Sequence, residues 1–262
     1  MSSCPICSSE MRHAFEAQVL KKYPAQFEVC DACEYLRARD PHWLDEAYSS
    51  AIAAADTGLV MRNISLASKV ASTLYWVFGE RGKGQYLDAA GGYGMLTRMM
   101  RDLGFDFYWS DKHCENLLAR GFEYSPAMHN CQAVTAMEVM EHLTNPLEFV
   151  EATLKDTGAD SLIFSTQLYK GKPPAQDWWY YSFATGQHIG FFSRTTLDIL
   201  GNKLGLKLIS SNGLHILSRR SLDQNKLFLA TRPLFLKLTL LVIQRRLRSK
   251  TMSDHLTIMH AD

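Results

Sequence analysis

The chain reads as an α/β protein, a mostly parallel sheet flanked by helices, with a small cysteine-rich ribbon ahead of it. Three observations carry that reading. Residues 86–100, YLDAAGGYGMLTRMM, run as strand, glycine turn and helix. Apolar strand-like segments followed by helical ones recur at 105–120 and 134–154, and alternation of this kind builds a parallel sheet between helical layers. Two Cys-x-x-Cys pairs lie within the first forty residues. At 262 residues, 47% hydrophobic and 21% charged, the chain holds enough apolar material for a large core. A net charge of +1 gives no overall preference for nucleic acid. The N-terminal residues form no apolar leader, which gives the expectation of a cytoplasmic protein.

Taken in order, residues 1–40 form the ribbon, with Cys4-Pro5-Ile6-Cys7 and Cys30-Asp31-Ala32-Cys33 as two knuckles. Four thiolates at this spacing suit tetrahedral zinc, each pair filling two coordination positions from one tight turn. Disulfides are the alternative, which a cytosolic setting disfavours. Four cysteines leave no open position for a substrate, so the zinc is structural. Cys114 and Cys131 stand alone and suit burial as small apolar side chains. Residues 41–84 read as a helical lid or linker: a loop at 40–43, a helix running on through residue 54, and a second helix over 63–78 whose apolar positions include Leu66, Val70 and Leu74.

Residues 85–232 make the core. Within the turn, Asp88, Ala90, Gly92 and Gly94 follow an acidic-x-Gly-x-Gly-x-Gly spacing, with Ala90 where the first glycine usually stands. This resembles the first motif of the class I S-adenosylmethionine (SAM) methyltransferases, and the resemblance implies a Rossmann-like sheet of seven strands with SAM outside their carboxyl ends. It implies a cofactor role for Asp88, Ala90, Gly92, Gly94 and Met137. It also assigns ribose binding to Asp111, at the end of a second strand through 105–111; a helix N-cap ahead of 112–120 is the alternative for Asp111. In such folds helices like those of 41–84 cover the cofactor, so Tyr48, Tyr75 and Trp76 are lid candidates, with plain burial the alternative.

After a third strand comes Met137-Glu138-Val139-Met140-Glu141-His142-Leu143, then Asn145-Pro146 and a helix through residue 154. The stretch resembles the Glu-x-x-Glu-His motif of ubiquinone-pathway O-methyltransferases and of small-RNA 3′-terminal 2′-O-methyltransferases. That likeness implies a divalent cation, magnesium, manganese or zinc, on Glu138, Glu141, His142 and a later histidine, matched here by His188. On a helical turn residues i, i+3 and i+4 share a face, so the first three would point one way. His142 or His188 as a metal-free general base, or a structural Glu-His pair, are the other readings.

Residues 170–192, KGKPPAQDWWYYSFATGQHIGFF, form an aromatic insertion in which Trp178, Trp179, Tyr180 and Tyr181 are substrate-stacking candidates; the alternative is packing over the sheet. A helix over 195–204 and strands at 161–165, 206–211, 214–217 and 226–230 complete the core. The tail, 233–262, joins an apolar run to a basic one and is too short to span a membrane. It suits docking on the core or on a second subunit, with contact to an anionic membrane as the alternative.

A ribbon ahead of such a core also resembles bacterial sugar methyltransferases. The reading is therefore an enzyme of the methyltransferase-23 or ubiquinone O-methyltransferase type, methylating a hydroxyl of a glycan or other small acceptor with metal assistance. RNA ribose methylation, carbon methylation of a keto sugar and a non-catalytic scaffold are the alternatives.

Overall fold

The computed structural model describes residues 2–49, 56–79, 81–125, 127–128 and 130–260. Its elements are β1 (Met11–Val19), β2 (Tyr23–Cys30), β3 (Leu36–Ala38), α1 (Leu44–Ala47), α2 (Leu59–Trp76), β4 (Gln85–Ala89), α3 (Met95–Asp102), β5 (Asp106–Ser110), β6 (Ala133–Met137), α4 (Pro146–Thr157), β7 (Ser161–Ser165), β8 (Leu168–Tyr169), β9 (Gly190–Ser193), α5 (Arg194–Lys203), β10 (Lys207–Ser211), β11 (Leu214–Ser218), α6 (Gln224–Ala230), α7 (Pro233–Arg246) and α8 (Thr251–Met259).

The main sheet has the order β10-β11-β7-β6-β4-β5. Strands β4, β5, β6 and β7 are parallel, and the β10–β11 hairpin closes one edge antiparallel. Because side chains alternate across a strand, β7 sends Leu162 and Phe164 to one apolar core and Ile163 to the other. Helices α4 and α5 cover the first face, and α2, α3, α6 and α7 the second.

Among the described residues six strands pair in this sheet rather than seven. Where a further edge strand would lie, a single parallel bridge joins Trp109 to Glu123, with Trp109 donating its N–H to the Phe122 carbonyl at 2.8 Å and Tyr124 donating to Trp109 at 2.7 Å. No helix forms over 112–120. Asn116 instead folds its amide back on the Ala119 carbonyl at 2.8 Å while its oxygen accepts from the Ala119 N–H at 2.9 Å, the local competition that keeps Asn out of helices. Residues 226–230, expected as a strand, belong to α6, whose start is capped by Asp223 accepting from Asn225 and Lys226. The helix expected through residue 54 is described only as α1, because residues 50–55 lie outside the described set.

The ribbon is not a separate appendage. A second sheet has the order β1-β2-β3-β9-β8, so the cysteine hairpin continues into strands from the insertion, with Leu36 opposite Phe191 and Arg37 opposite Gly190. Its interior is aromatic: Phe15, Phe27, Tyr181, Phe183 and Phe191 pack ring on ring. At the other end of the chain the tail is docked. Trp76 donates to Thr239 at 3.0 Å, Ile243 is buried, and Arg101 grips Asp254 with two hydrogen bonds of 2.7 Å.

Candidate active site

β4 and β6 are neighbouring parallel strands, with Asp88 opposite Thr135. The turns after both therefore emerge at the same carboxyl edge, beside the point where chain connections diverge to either side of β4, the usual ligand position in open α/β sheets. The first turn is the glycine loop. Gly94 caps α3 in the left-handed conformation, φ +85°, and a side chain there would strike Asn116. Gly92, at φ +55°, faces open space in which an added Cβ would meet nothing within 4 Å. A backbone so bared, next to the first turn of α3 with its free N–H groups, is a cradle for a polar ligand. Ala90 occupies φ +52° as well, a conformation that costs a non-glycine residue about 1 kcal/mol; its exposed methyl does not fill the turn.

Asp88 does not reach that cradle. It is 2% exposed and accepts from Thr135 at 2.8 Å and Thr97 at 3.2 Å, bracing the loop from beneath. Burial pushes its carboxyl up to about 7, against the pull of those two hydroxyls. Asp111 ties the loop from the side. One oxygen accepts from the Gly92 N–H at 2.9 Å, the other from His113 and Cys114 at 2.7 and 2.9 Å. Its half-buried position at the end of β5 leaves it lone pairs for a further donor such as a ribose hydroxyl. Met137 ends β6 half-buried against the core.

The second turn holds the titratable cluster. Glu138 takes φ +56° and is followed by a 3-10 turn at Met140–His142. The regular helical face expected of Glu138, Glu141 and His142 is therefore broken at its first member. Glu138 turns aside: Ser165 donates to it at 2.5 Å and Arg62 lies 3.5 Å from its other oxygen. Burial first, then the neighbouring Glu141, raises its affinity for a proton.

Glu141, His142 and His188 do converge, each presenting a ligand-type atom within 4.8 Å of the others. Glu141 is wholly buried. One oxygen accepts from the Tyr180 hydroxyl at 2.7 Å, and the other has no hydrogen-bond partner. His142 Nδ1 lies 3.0 Å from the Gln187 carbonyl and His188 Nδ1 lies 2.7 Å from the Tyr180 carbonyl. A carbonyl only accepts, so Nδ1 is a protonated nitrogen in both rings, shared in His142 with the Tyr48 hydroxyl as a second acceptor, and Nε2 is the atom that would meet a metal. This is the orientation that backbone partners impose on metal-binding imidazoles. Burial pushes His142 down to about 3, with the neighbouring His188 the next cause. The residues thus fit a divalent cation: two imidazoles and one buried carboxylate with an oxygen in need of a partner.

Tyr48 borders the cluster, its hydroxyl 2.8 Å from His142 Nδ1 and its ring stacked at 6.5 Å on His113, in the segment after Asp111. Of the other lid candidates, Tyr75 is core and Trp76 is committed to α7. The aromatic insertion divides in the same way. Trp179 is 74% exposed, whereas Trp178 packs on Tyr181 and Phe191, and Tyr181 is fully buried with its hydroxyl on the Pro174 carbonyl. Tyr180 is buried too. Neither tyrosine can stack on a substrate, because the second sheet needs both rings for its interior. Tyr180 instead holds Glu141 through its hydroxyl and His188 through its carbonyl, a role that no local pattern in the sequence signals.

The knuckles fit zinc. Cys4 and Cys33 sulfurs lie 3.5 Å apart, Cys7 and Cys30 3.3 Å, and all four fall within 4.8 Å of one another as free thiols. Tetrahedral zinc–thiolate bonds of about 2.3 Å place sulfurs roughly 3.8 Å apart. Cys4 is pulled down to about 5, chiefly by its hydrogen bond to Cys33 and with help from the N–H groups of Ile6 and Cys7.

A methyltransferase domain family matches residues 62–211, from α2 through β10. The chain belongs to that family. Solved structures resemble it distantly. TnmH shares 16% identity at a TM-score of 0.45, over 67% of this chain and 60% of that one. Mitomycin 7-O-methyltransferase MmcR shares 15% at 0.43, over 67% and 59%. Magnesium protoporphyrin IX methyltransferase from Synechocystis PCC 6803, with bound SAH, shares 15% at 0.41, over 67% and 91%. The chain thus spans about three fifths of the first two proteins. Among curated proteins none matches this chain in sequence.

Proposed function

We propose that this methyltransferase transfers the methyl group of SAM to a hydroxyl of a small acceptor bearing neighbouring hydroxyls, of sugar or related diol type, and that Glu141, His142 and His188 hold a divalent cation for that reaction. The observation that carries the reading is a buried Glu141 carboxylate with one oxygen unpartnered, clustered within 4.8 Å with two imidazoles whose Nδ1 atoms sit on backbone carbonyls. A bound divalent ion supplies Lewis acidity, lowering the pKa of a hydroxyl placed against it.

The protein's own contribution is placement. Three protein ligands leave a six-coordinate ion room for two oxygens of one diol, which favours vicinal hydroxyls over isolated ones. The glycine loop, backed by Asp88 and pinned by Asp111, fixes the methyl donor on the neighbouring strand, so that donor and acceptor meet at one sheet edge. Tyr48, hydrogen-bonded to His142, stands beside that edge.

The test is methyl transfer from SAM to catechol and simple glycosides, in chelated buffer and with magnesium, manganese or zinc restored. Metal-dependent turnover on vicinal diols, lost in His188→Ala while the ribbon zinc stays bound, supports the reading. Equal turnover with and without metal, or on isolated hydroxyls as readily as on diols, overturns it.

A further inference from the structure

The docked tail leaves one face uncovered. Between residues 224 and 250 the sequence has seven Lys and Arg and no Asp or Glu. On α7, Thr239 and Ile243 are buried against the body, while Leu234, Leu238 and Leu241 point outward at 73%, 55% and 54% exposure. Their spacing of four and three residues sets them in one stripe along the helix. Lys237 and Arg245 are exposed on the same face, and Phe228 and Leu229 of α6 extend the apolar area beside it.

We infer that this face is a docking surface for an anionic lipid bilayer, with α7 lying in the plane of the headgroups. The charge pattern selects that occupant. A two-fold contact between copies would set the same patch against itself, cation against cation, whereas an anionic surface meets the exposed Lys237 and Arg245 of this face favourably. A purely electrostatic polyanion site would have no use for three leucines held out in water between the cations; a bilayer takes both parts at once. Spanning is not the geometry proposed: among the described residues no single helix is long and apolar enough to cross a membrane, and α6 and α7, apolar enough as a pair, meet at 83°.

The experiment is co-sedimentation of the full chain with vesicles of phosphatidylcholine alone and of phosphatidylcholine with one third phosphatidylserine, at low and at high salt. Binding to the anionic vesicles only, weakened by salt, is the expected result. Two variants locate it, Leu234→Ser/Leu238→Ser/Leu241→Ser and Lys237→Gln/Arg245→Gln/Arg246→Gln, both confined to exposed positions and checked for an unchanged far-ultraviolet spectrum and melting curve. Each cation contributes about a fivefold factor near such a surface, so the charge variant should lose roughly a hundredfold in partitioning. The leucine variant should also lose binding. Absence of sedimentation with anionic vesicles at low salt overturns the inference, as does binding that survives the leucine changes, which would mark a simple polyanion site. Concentration-dependent dimers that the leucine variant abolishes, without vesicle binding, would assign the face to a second copy instead.

Discussion

Replacing Glu141 with Gln has opposite consequences in the absence and presence of a divalent cation. Without metal, the native carboxylate is buried with one oxygen unpartnered and Glu138 nearby as a second acid. A buried polar atom left unsatisfied costs about 1–3 kcal/mol. The amide is isosteric, keeps the acceptor for Tyr180, carries no charge, and puts an N–H donor into a cluster whose imidazole nitrogens lie within 4.8 Å of a Glu141 oxygen. For a chain of this size 1 kcal/mol shifts melting by about 2–4 °C, so the metal-free variant should melt roughly 2–12 °C above the parent. With magnesium or manganese at a hundredfold excess over its dissociation constant, the parent gains about 2.7 kcal/mol, or roughly 5–11 °C, and the variant gains almost nothing. The order of the two melting curves therefore converges or inverts on adding metal. Scanning calorimetry of protein that retains its ribbon zinc measures this directly. A variant that melts below the parent in metal-free buffer, or that keeps the full metal-induced shift, refutes the assignment.

Three further outcomes follow from the same structure. Asp254→Ala strands Arg101, 4% exposed, without its two short hydrogen bonds; breaking a buried pair costs about 3–5 kcal/mol, so denaturant titration should show that loss together with early proteolysis after α7. Asp88 holds its proton more tightly when folded, about 7 against an ordinary 3.8, so it takes up protons on folding between those values and stability falls as pH rises through that window; Asp88→Asn should flatten the fall, read as melting temperature from pH about 4 to 8. Cys30→Ser should lower zinc content by elemental analysis and also loosen the active site, because β3 passes from the second knuckle to β9, Ala38 donates to Ile189, and Ile189 donates to Glu141; amide exchange at Ile189 and Phe191 should rise, and unchanged protection there would separate the ribbon from the site.

What the sequence revealed is what short-range chemistry controls. The glycine turn between β4 and α3 is local, and so are the two cysteine pairs; the β7 strand, 161–165, matches its expected bounds because a run of buried residues between a helix cap and a turn has few other solutions. The triad was legible in part, since Glu141 and His142 are adjacent, whereas His188 came only from the resemblance to the Glu-x-x-Glu-His methyltransferases. Glu138 was misplaced because the helical spacing rule presumes a helix, whereas its backbone turns left-handed and the 3-10 turn begins two residues later. Fusion of ribbon and insertion into one sheet joins Leu36 to Phe191, a pairing across more than 150 residues that no local periodicity encodes. The same fusion converts Tyr180 and Tyr181 from an exposed aromatic stretch into sheet interior. The missing helix over 112–120 has a local cause after the fact: Asn116 and Asp111 occupy backbone donors that such a helix would have used.

The central claim, a cation on Glu141, His142 and His188 beside the SAM loop, is tested most directly by isothermal titration of manganese into protein carrying only its ribbon zinc, in the presence of SAM and a vicinal diol, for the parent and His188→Ala. The account predicts one manganese site in the parent, tightened by the diol, and its loss in the variant with SAM binding intact. Manganese binding of equal strength in both proteins, or in neither, contradicts it.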